Sequence, residues 1–411
     1  MKIRNIKPKE ITDSRGNPTV EVEIETNKGK FSASVPSGAS KGRYEALELR
    51  DDDGKGIKKA ISNIKKIITP VLKNKEFISQ KEVDEILIKL DGTENKSKLG
   101  VNAILPVSIA VCRSLAASEK LPLYAYIAKL AGLRNLLTLP LPCFNIINGG
   151  SHTENELDIQ EFMVIPQKKY FRENLKIGSE IYQMLKNILV GQFDGKTVKM
   201  GDEGGFAPQF FKTEQALYIL FSSMENHPDT KIGLDCAASH FYKEDGYHLD
   251  QQIFTRSRLL DFYKDIIDRF PIIFLEDPFS EDDWQGFEEI IKELSGKIDI
   301  IGDDLLATNI KRIKEAENKK ACSGLILKPN QIGTVTETLE AAKLAKSYGW
   351  KILVSHRSGE TCDDFIADLS VGVGADFIKS GAPVTPERMV KYNRLLEIEE
   401  EIHSKKQFNY V

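Results

Sequence analysis

Cysteine is scarce in this chain of 411 residues, which contains five cysteines and no Cys-x-x-Cys pair. An odd number of scattered cysteines does not suggest a disulfide framework. It is typical of reduced thiols, and we therefore expect a cytoplasmic protein. The N-terminal segment MKIRNIKPKE lacks the apolar core of a signal peptide, which agrees with that expectation.

An excess of positive charge is also missing. Lys and Arg number 57 against 61 Asp and Glu, so the net charge is −4, which disfavours a nucleic-acid partner. Two charge-free stretches, between Arg134 and Glu154 and between Lys98 and Arg113, are interrupted by Asn and Pro. Neither resembles the roughly 20 apolar residues of a membrane-spanning helix, so no membrane partner is expected.

Several sequence motifs do not occur, and each absence removes a class of chemistry. The chain has no GxxxxGK loop and no strand-linked GxGxxG, so nucleoside triphosphate and dinucleotide binding have no support. It also has no GxSxG nucleophile elbow. Composition is that of a globular protein, with 41% apolar and 29% charged residues, and the length suits about two to three domains.

The first part of the chain predicts a small α+β domain. Apolar and acidic residues alternate over residues 20–25, which is the period of a half-buried strand, and the alternation resumes at Phe31 after a turn. Helical patterns follow at roughly 57–72, 80–90 and 103–118. Two prolines at 140 and 142 interrupt regular structure, so we place this domain at residues 1–137.

From residue 138 to 411, short apolar runs alternate with longer amphipathic stretches, of which 256–270 is the clearest helix. This alternation indicates β/α units around a parallel sheet. Six successive runs end in an ionisable residue: Asp235, Glu276, Asp303, Lys328, His356 and Lys379. They are spaced 23 to 41 residues apart. In a parallel β/α barrel such strand ends converge on the catalytic face, so we predict a barrel with these six side chains together.

The converging side chains suggest metal-assisted proton transfer. Asp235, Glu276 and Asp303 offer an all-oxygen site that suits Mg²⁺ better than Zn²⁺, because no His or Cys stands at zinc spacing. Lys328 is a candidate general base if nearby cations favour its neutral amine. A salt bridge between Lys328 and one of the acids is the alternative. The segment His-Arg-Ser-Gly at 356–359 supplies a guanidinium and a hydroxyl that suit a phosphate or a carboxylate.

In its motifs, the chain closely resembles the enolase family, the glycolytic phosphopyruvate hydratases, over nearly its whole length. The shared strings include DSRGNPTVEVE (13–23), VPSGAS (35–40), NIINGGSH (145–152), GDEGGFAP (201–208), EDPF (276–279), LKPNQIGT (327–334), SHRSGET (355–361) and IKSGAP (378–383). The resemblance implies the α/β class: a small N-terminal α+β domain, then an eight-stranded (β/α)8-type barrel that starts irregularly, as ββαα.

The resemblance also implies a reaction, the reversible dehydration of 2-phospho-D-glycerate to phosphoenolpyruvate. Lys328 would remove the C2 proton, and Glu203 would protonate the departing C3 hydroxyl. Two Mg²⁺ ions are implied, the first held by Asp235, Glu276 and Asp303 and the second assisted by Ser40. The substrate would be bound by Arg357 and Ser358 at its phosphate and by Lys379, in a pocket lined by His152, Gln160, Glu161 and His356.

Two alternatives stay open beside this hypothesis. Another lyase or isomerase of the enolase superfamily would share the three acids but would not need the GDEGG, SGAS or HRSG segments. A non-catalytic scaffold or surface-binding protein with the same fold would be expected to lose Glu203, Lys328 or a metal-binding acid, and all are present. The resemblance further implies a homodimer or a higher homo-oligomer, and the sequence does not decide between dimer and octamer.

Overall fold

The structure, a computed structural model, describes residues 1–38, 42–133, 138–153, 155–192, 199–209 and 212–408. For His152, Gln192 and residues 405–408 the backbone alone is described. The elements fall into a small N-terminal unit and a closed barrel, as the α/β prediction with an N-terminal α+β domain required.

The N-terminal unit is an antiparallel three-stranded sheet covered by helices. Its strands are β1 (Ile3–Thr12), β2 (Pro18–Thr26) and β3 (Gly29–Ser34), paired in that order. The predicted alternation is confirmed, because Val20, Val22 and Ile24 are fully buried while the intervening glutamates are half-buried. The helices are α1 (Lys58–Asn63), α2 (Thr69–Leu72), with a π-helical turn at Ile64–Ile68 between them, α3 (Gln80–Asp91), α4 (Val101–Ser118) and α5 (Leu123–Ala131).

Helix α4 is the central helix of this unit and packs on β2 and β3. Its 18 residues are long and apolar enough, by length and composition, to cross a membrane, but 83% of them are buried inside the protein. It therefore has the character of a core helix.

The barrel begins irregularly. Its first strands are β4 (Leu141–Asn148), β5 (Glu161–Ile165) and β6 (Lys231–Asp235), and β5 runs antiparallel to both neighbours. Helices α6 (Phe171–Gln192) and α7 (Thr213–Ser223) lie between β5 and β6, which confirms the expected ββαα start. A separate small sheet follows, made of β7 (Tyr242–Lys243), β8 (Gly246–Leu249) and β9 (Gln252–Phe254).

Regular β/α units complete the barrel. The strands are β10 (Ile272–Glu276), β11 (Asp299–Gly302), β12 (Gly324–Leu327), β13 (Lys351–Ser355) and β14 (Phe377–Lys379), and β14 pairs with β4 to close the ring. The outer helices are α8 (Arg256–Arg269), α9 (Trp284–Leu294), α10 (Ile310–Lys319), α11 (Pro329–Ile332), α12 (Val335–Ser347), α13 (Phe365–Gly372) and α14 (Pro386–Phe408). Helix α8 matches the predicted 256–270 helix, and it starts at Thr255, whose hydroxyl accepts the Arg258 N–H.

The two units are joined by partly buried polar contacts. Arg113 of α4 pairs with Asp363 and Asp364 of the barrel, each at 2.7 Å. Asp84 of α3 accepts hydrogen bonds from the backbone N–H and the hydroxyl of Thr336, at the start of α12. The proposed division after residue 137 falls between the end of α5 and the start of β4 and stays a prediction.

Candidate active site

The six ionisable strand ends meet at one end of the barrel, as predicted. Asp235, Glu276 and Lys379 are the last residues of β6, β10 and β14. Asp303, Lys328 and His356 each directly follow a strand, namely β11, β12 and β13. All six are at most 9% exposed, and they are Asp235, Glu276, Asp303, Lys328, His356 and Lys379. Parallel pairing aligns them, since Glu276 stands opposite Asp235 and Lys379 opposite Ser355.

Lys379 is surrounded by carboxylates. Its Nζ lies 3.1 Å from Asp235 Oδ2, 2.8 Å from Glu276 Oε2 and 3.2 Å from Glu161 Oε2. Burial alone would lower the pKa of Lys379, but these three acids raise it well above its usual value. Lys379 is therefore a fixed positive charge at the centre of the site.

Lys328 forms an ion pair with Asp303, whose other carboxylate oxygen accepts a 2.8 Å hydrogen bond from Gln331. Burial lowers the pKa of Lys328 and Asp303 raises it, while Arg357 and Lys379 lower it; the net direction is upward. The salt bridge that the sequence left as an alternative is thus formed here. The role of Lys328 as a base stays a prediction.

The site contains more carboxylates than its two lysines neutralise. Burial, followed by repulsion from Asp235, raises the pKa of Glu276 well above its usual value. Burial, followed by repulsion from Glu203, does the same for Glu161. Buried acids in excess of their cationic partners are a favourable donor set for a hard divalent cation. The residues predicted to hold a metal, Asp235, Glu276 and Asp303, fit such an ion chemically.

A second group of acids adjoins the first. Asp277, Asp303 and Asp304 bring ligand oxygens within 4.8 Å of one another. The carboxylate of Asp277, however, accepts the backbone N–H groups of Asp303 and Asp304 at 2.9 and 2.6 Å. Asp277 therefore anchors the turn that presents Asp303 to the cavity.

Glu203 lines the same cavity as the two lysines and is 2% exposed. Gly204, with φ of +83°, allows the tight turn beside it, which an L side chain would strain. The Oε2 atom of Glu203 accepts a 2.8 Å hydrogen bond from Asn145 and lies 3.1 Å from His356 Nε2. Burial is the main cause that lowers the pKa of His356 to about 3, so this imidazole is neutral near pH 7.

The predicted substrate-binding residues are mostly brought together. Arg357 and Ser358 line the cavity, and so do Gln160 and Glu161. Gln160 donates to Asp235 at 3.2 Å. Ser40 lies outside the described residues, and the side chain of His152 does as well, so these two predictions are not placed.

Sequence reasoning missed several residues that hold the site. They are Asn145, Asp277, Gln331, Arg388 and Glu45. Glu45 forms an ion pair with Arg357. Asn145 and Gln331 fall inside quoted strings, NIINGGSH and LKPNQIGT, so attention to every polar residue there could have found them. Arg388 stands in the long, largely polar helix α14 and gives no such signal.

Comparisons with known proteins agree over both units. Residues 136–410 match the family described as "Enolase, C-terminal TIM barrel domain", and residues 3–127 match "Enolase, N-terminal domain". The chain is 51% identical over 424 aligned residues to Enolase B of Dictyostelium discoideum, covering 98% of this chain and 95% of that protein.

Proposed function

Since the chain belongs to the enolase family, and is therefore a lyase of the phosphopyruvate hydratase type, we propose that it catalyses the Mg²⁺-dependent, reversible dehydration of 2-phospho-D-glycerate to phosphoenolpyruvate. This is a step of glycolysis and gluconeogenesis. The observation that supports the reaction most strongly is the meeting of Lys328, Lys379, Glu203 and the three carboxylates at one cavity.

In the proposed reaction Lys328 takes the C2 proton as a neutral amine, and the electron pair left on C2 is delocalised into the substrate carboxylate. The C3–O bond then breaks, the electron pair forms the C2–C3 double bond, and Glu203 donates a proton so that water leaves. Burial, Arg357 and Lys379 lower the pKa of Lys328, but Asp303 raises it and the net direction is upward. The proposal therefore includes a change at Asp303, whose carboxylate must leave Lys328 before the neutral amine can form.

Asp235, Glu276 and Asp303 would hold the first Mg²⁺, and Ser40 would assist the second. Bound Mg²⁺ would neutralise the substrate carboxylate and stabilise the charge that develops on it, an effect of several kcal/mol. Lys379 adds a fixed positive charge to the same region, because its three acidic neighbours keep it protonated.

The remaining residues bind and orient the substrate in this proposal. Arg357 and Ser358 hold the phosphate, and the pocket is completed by His152, Gln160, Glu161 and His356. The partner is a small molecule, and we propose no nucleic acid or membrane partner. All five cysteines are free, which supports the proposed cytoplasmic location. A homodimer or higher homo-oligomer is proposed from the resemblance to the family.

The test is the ultraviolet absorbance of phosphoenolpyruvate formed from 2-phospho-D-glycerate, measured with Mg²⁺, without it, and with a chelator. We expect formation of phosphoenolpyruvate with Mg²⁺, loss with the chelator, and recovery when Mg²⁺ is restored. Absence of product under all three conditions would favour a non-catalytic protein. Solvent exchange at C2 without product would favour another reaction of the superfamily.

A further inference from the structure

Arg388 of helix α14 is fully buried beside the cavity and does not line it. Its guanidinium contacts two loops at once. Nη1 donates to Nδ1 of His356 and, at 2.6 Å, to the carbonyl of Arg357. Nη2 donates to the carbonyls of Ser358 at 2.6 Å and Asp202 at 3.0 Å. The partners that the described residues supply are thus one ring nitrogen and three carbonyl oxygens.

The contact with Nδ1 indicates which nitrogen of His356 carries the proton. An arginine side chain has donors and no acceptor, and it stays protonated in proteins. Nδ1 must therefore be the acceptor, and a neutral imidazole then carries its proton on Nε2. That nitrogen lies 3.1 Å from Glu203 Oε2, which is close enough in distance, although the angle there does not make a well-formed hydrogen bond.

The absence of a side chain at Gly381 leaves room for the contact between Arg388 and His356. A side chain at Gly381 would meet Arg388 Cδ at 3.0 Å, His356 Cε1 at 3.1 Å and the Glu203 carbonyl at 2.7 Å. The carbonyl of Glu203 also accepts the backbone N–H of Ala382 at 2.9 Å. Glycine at 381 therefore permits Arg388, His356 and the Glu203 segment to pack against one strand end.

We infer that Arg388 is a positioning residue that holds His356 as its Nε2–H tautomer and thereby directs an imidazole N–H onto Glu203 Oε2. The same oxygen accepts a hydrogen bond from Asn145 at 2.8 Å, and the Nε2–H of His356 is its second close polar neighbour at 3.1 Å. A proton on Glu203 then resides on Oε1. The catalytic part of this inference rests on the proposed function, in which Glu203 delivers that proton to the leaving hydroxyl. The tautomer itself does not depend on the reaction.

The tautomer is read directly by ¹⁵N NMR of histidine-labelled protein, because the chain has six histidines and His356→Gln identifies the signal. We expect the unmodified protein to show His356 neutral, with Nε2 protonated and Nδ1 unprotonated. In Arg388→Met the preference for that tautomer should be lost. Protonation at Nδ1 in the unmodified protein would overturn the inference, and so would an unchanged tautomer in Arg388→Met.

Kinetics separate positioning from a general loss of structure. Arg388→Lys keeps a positive charge but lacks the planar fork that reaches two loops. We expect it to lower the kcat of dehydration about 10-fold to 100-fold, because a small displacement of a catalytic group has effects of that size. Exchange of the C2 proton should fall less, since Lys328 has no contact with Arg388 among the described residues.

A double-substitution cycle completes the test and remains usable if Arg388→Met does not fold. In the His356→Gln background an amide can donate to Glu203 without any tautomer to control. In that background, Arg388→Lys should lower the kcat of dehydration by less than about twofold. Equal losses with and without His356→Gln would overturn the inference and mark Arg388 as a purely structural residue. If the unmodified protein forms no phosphoenolpyruvate, the proposed function fails, and the NMR result still decides the tautomer.

Discussion

Arg357 of the barrel makes a two-point ion pair with Glu45 of the N-terminal unit, with Nη1–Oε2 at 2.7 Å and Nη2–Oε1 at 3.1 Å. Both side chains are less than a tenth exposed. Glu45 also accepts the backbone N–H of Gly42 at 3.1 Å, so it connects the segment after residue 41 to the proposed phosphate-binding guanidinium. The proposed substrate site is therefore built from both units.

Glu45→Gln should destabilise the protein and make its stability depend on phosphate. The substitution removes a charge that compensates a buried guanidinium, and breaking such a pair costs about 3–5 kcal/mol. Inorganic phosphate should restore part of this loss. The free energy of unfolding in urea, with and without phosphate, checks it. Glu94→Gln is the matched control, because the Lys311–Glu94 pair is exposed on both sides. Equal effects of the two substitutions would contradict the account.

Arg357→Ala should weaken substrate binding, in addition to the loss of stability that comes from leaving Glu45 without its partner. A charged hydrogen bond to a bound group is worth about 1.5–3 kcal/mol, which corresponds to about a 10-fold to 100-fold rise in the dissociation constant. Arg357→Lys should recover part of the affinity, because it restores the charge without the paired geometry. Titration calorimetry with 2-phospho-D-glycerate measures both variants. An affinity unchanged in Arg357→Ala would show that the phosphate binds elsewhere.

The buried His356 should make stability fall as the pH falls. Its folded pKa is about 3, against an ordinary value of 6.5, so below pH 6.5 the unfolded chain takes up a proton that the folded chain refuses. The contribution of His356 to the free energy of unfolding is fully present above pH 6.5, the ordinary pKa of the unfolded state, and it decreases as the pH falls below that value. Between pH 7.5 and 5 the loss is about 2 kcal/mol.

Urea unfolding of the unmodified protein and of His356→Gln across that range measures the effect, which the substitution should abolish. His403→Gln, at an exposed position, is the matched control. A pH dependence that persists undiminished in His356→Gln would assign the effect to other groups.

The sequence predicted the parts of the site that follow from local pattern. Asp235, Glu276 and Lys379 could be found because each ends an apolar strand, and parallel pairing then brings them to one face. Glu45 and Arg388 could not be found in this way. Glu45 meets Arg357 across 312 positions of sequence, and Arg388 reaches Asp202 across 186. Such contacts depend on how units and helices pack, which no local periodicity records.

The partner of Lys328 shows a second limit. The position of Lys328 at a strand end was predictable. Its ion pair with Asp303 requires a protonated amine, and the pKa of that amine depends on burial and on four nearby charges. The sequence supplied both a base and a salt bridge as interpretations of this residue, and spacing alone could not rank them. The geometry of the charges around it is a property of the folded site.

The central claim is that Lys328 removes the C2 proton while Glu203 separately assists departure of the hydroxyl. The most direct measurement is the exchange of the C2 proton of 2-phospho-D-glycerate with deuterated solvent, followed by NMR beside the dehydration rate. Glu203→Gln should retain exchange and lose dehydration, whereas Lys328→Ala should bind substrate and lose both. Exchange retained in Lys328→Ala, or lost together with dehydration in Glu203→Gln, would contradict the account.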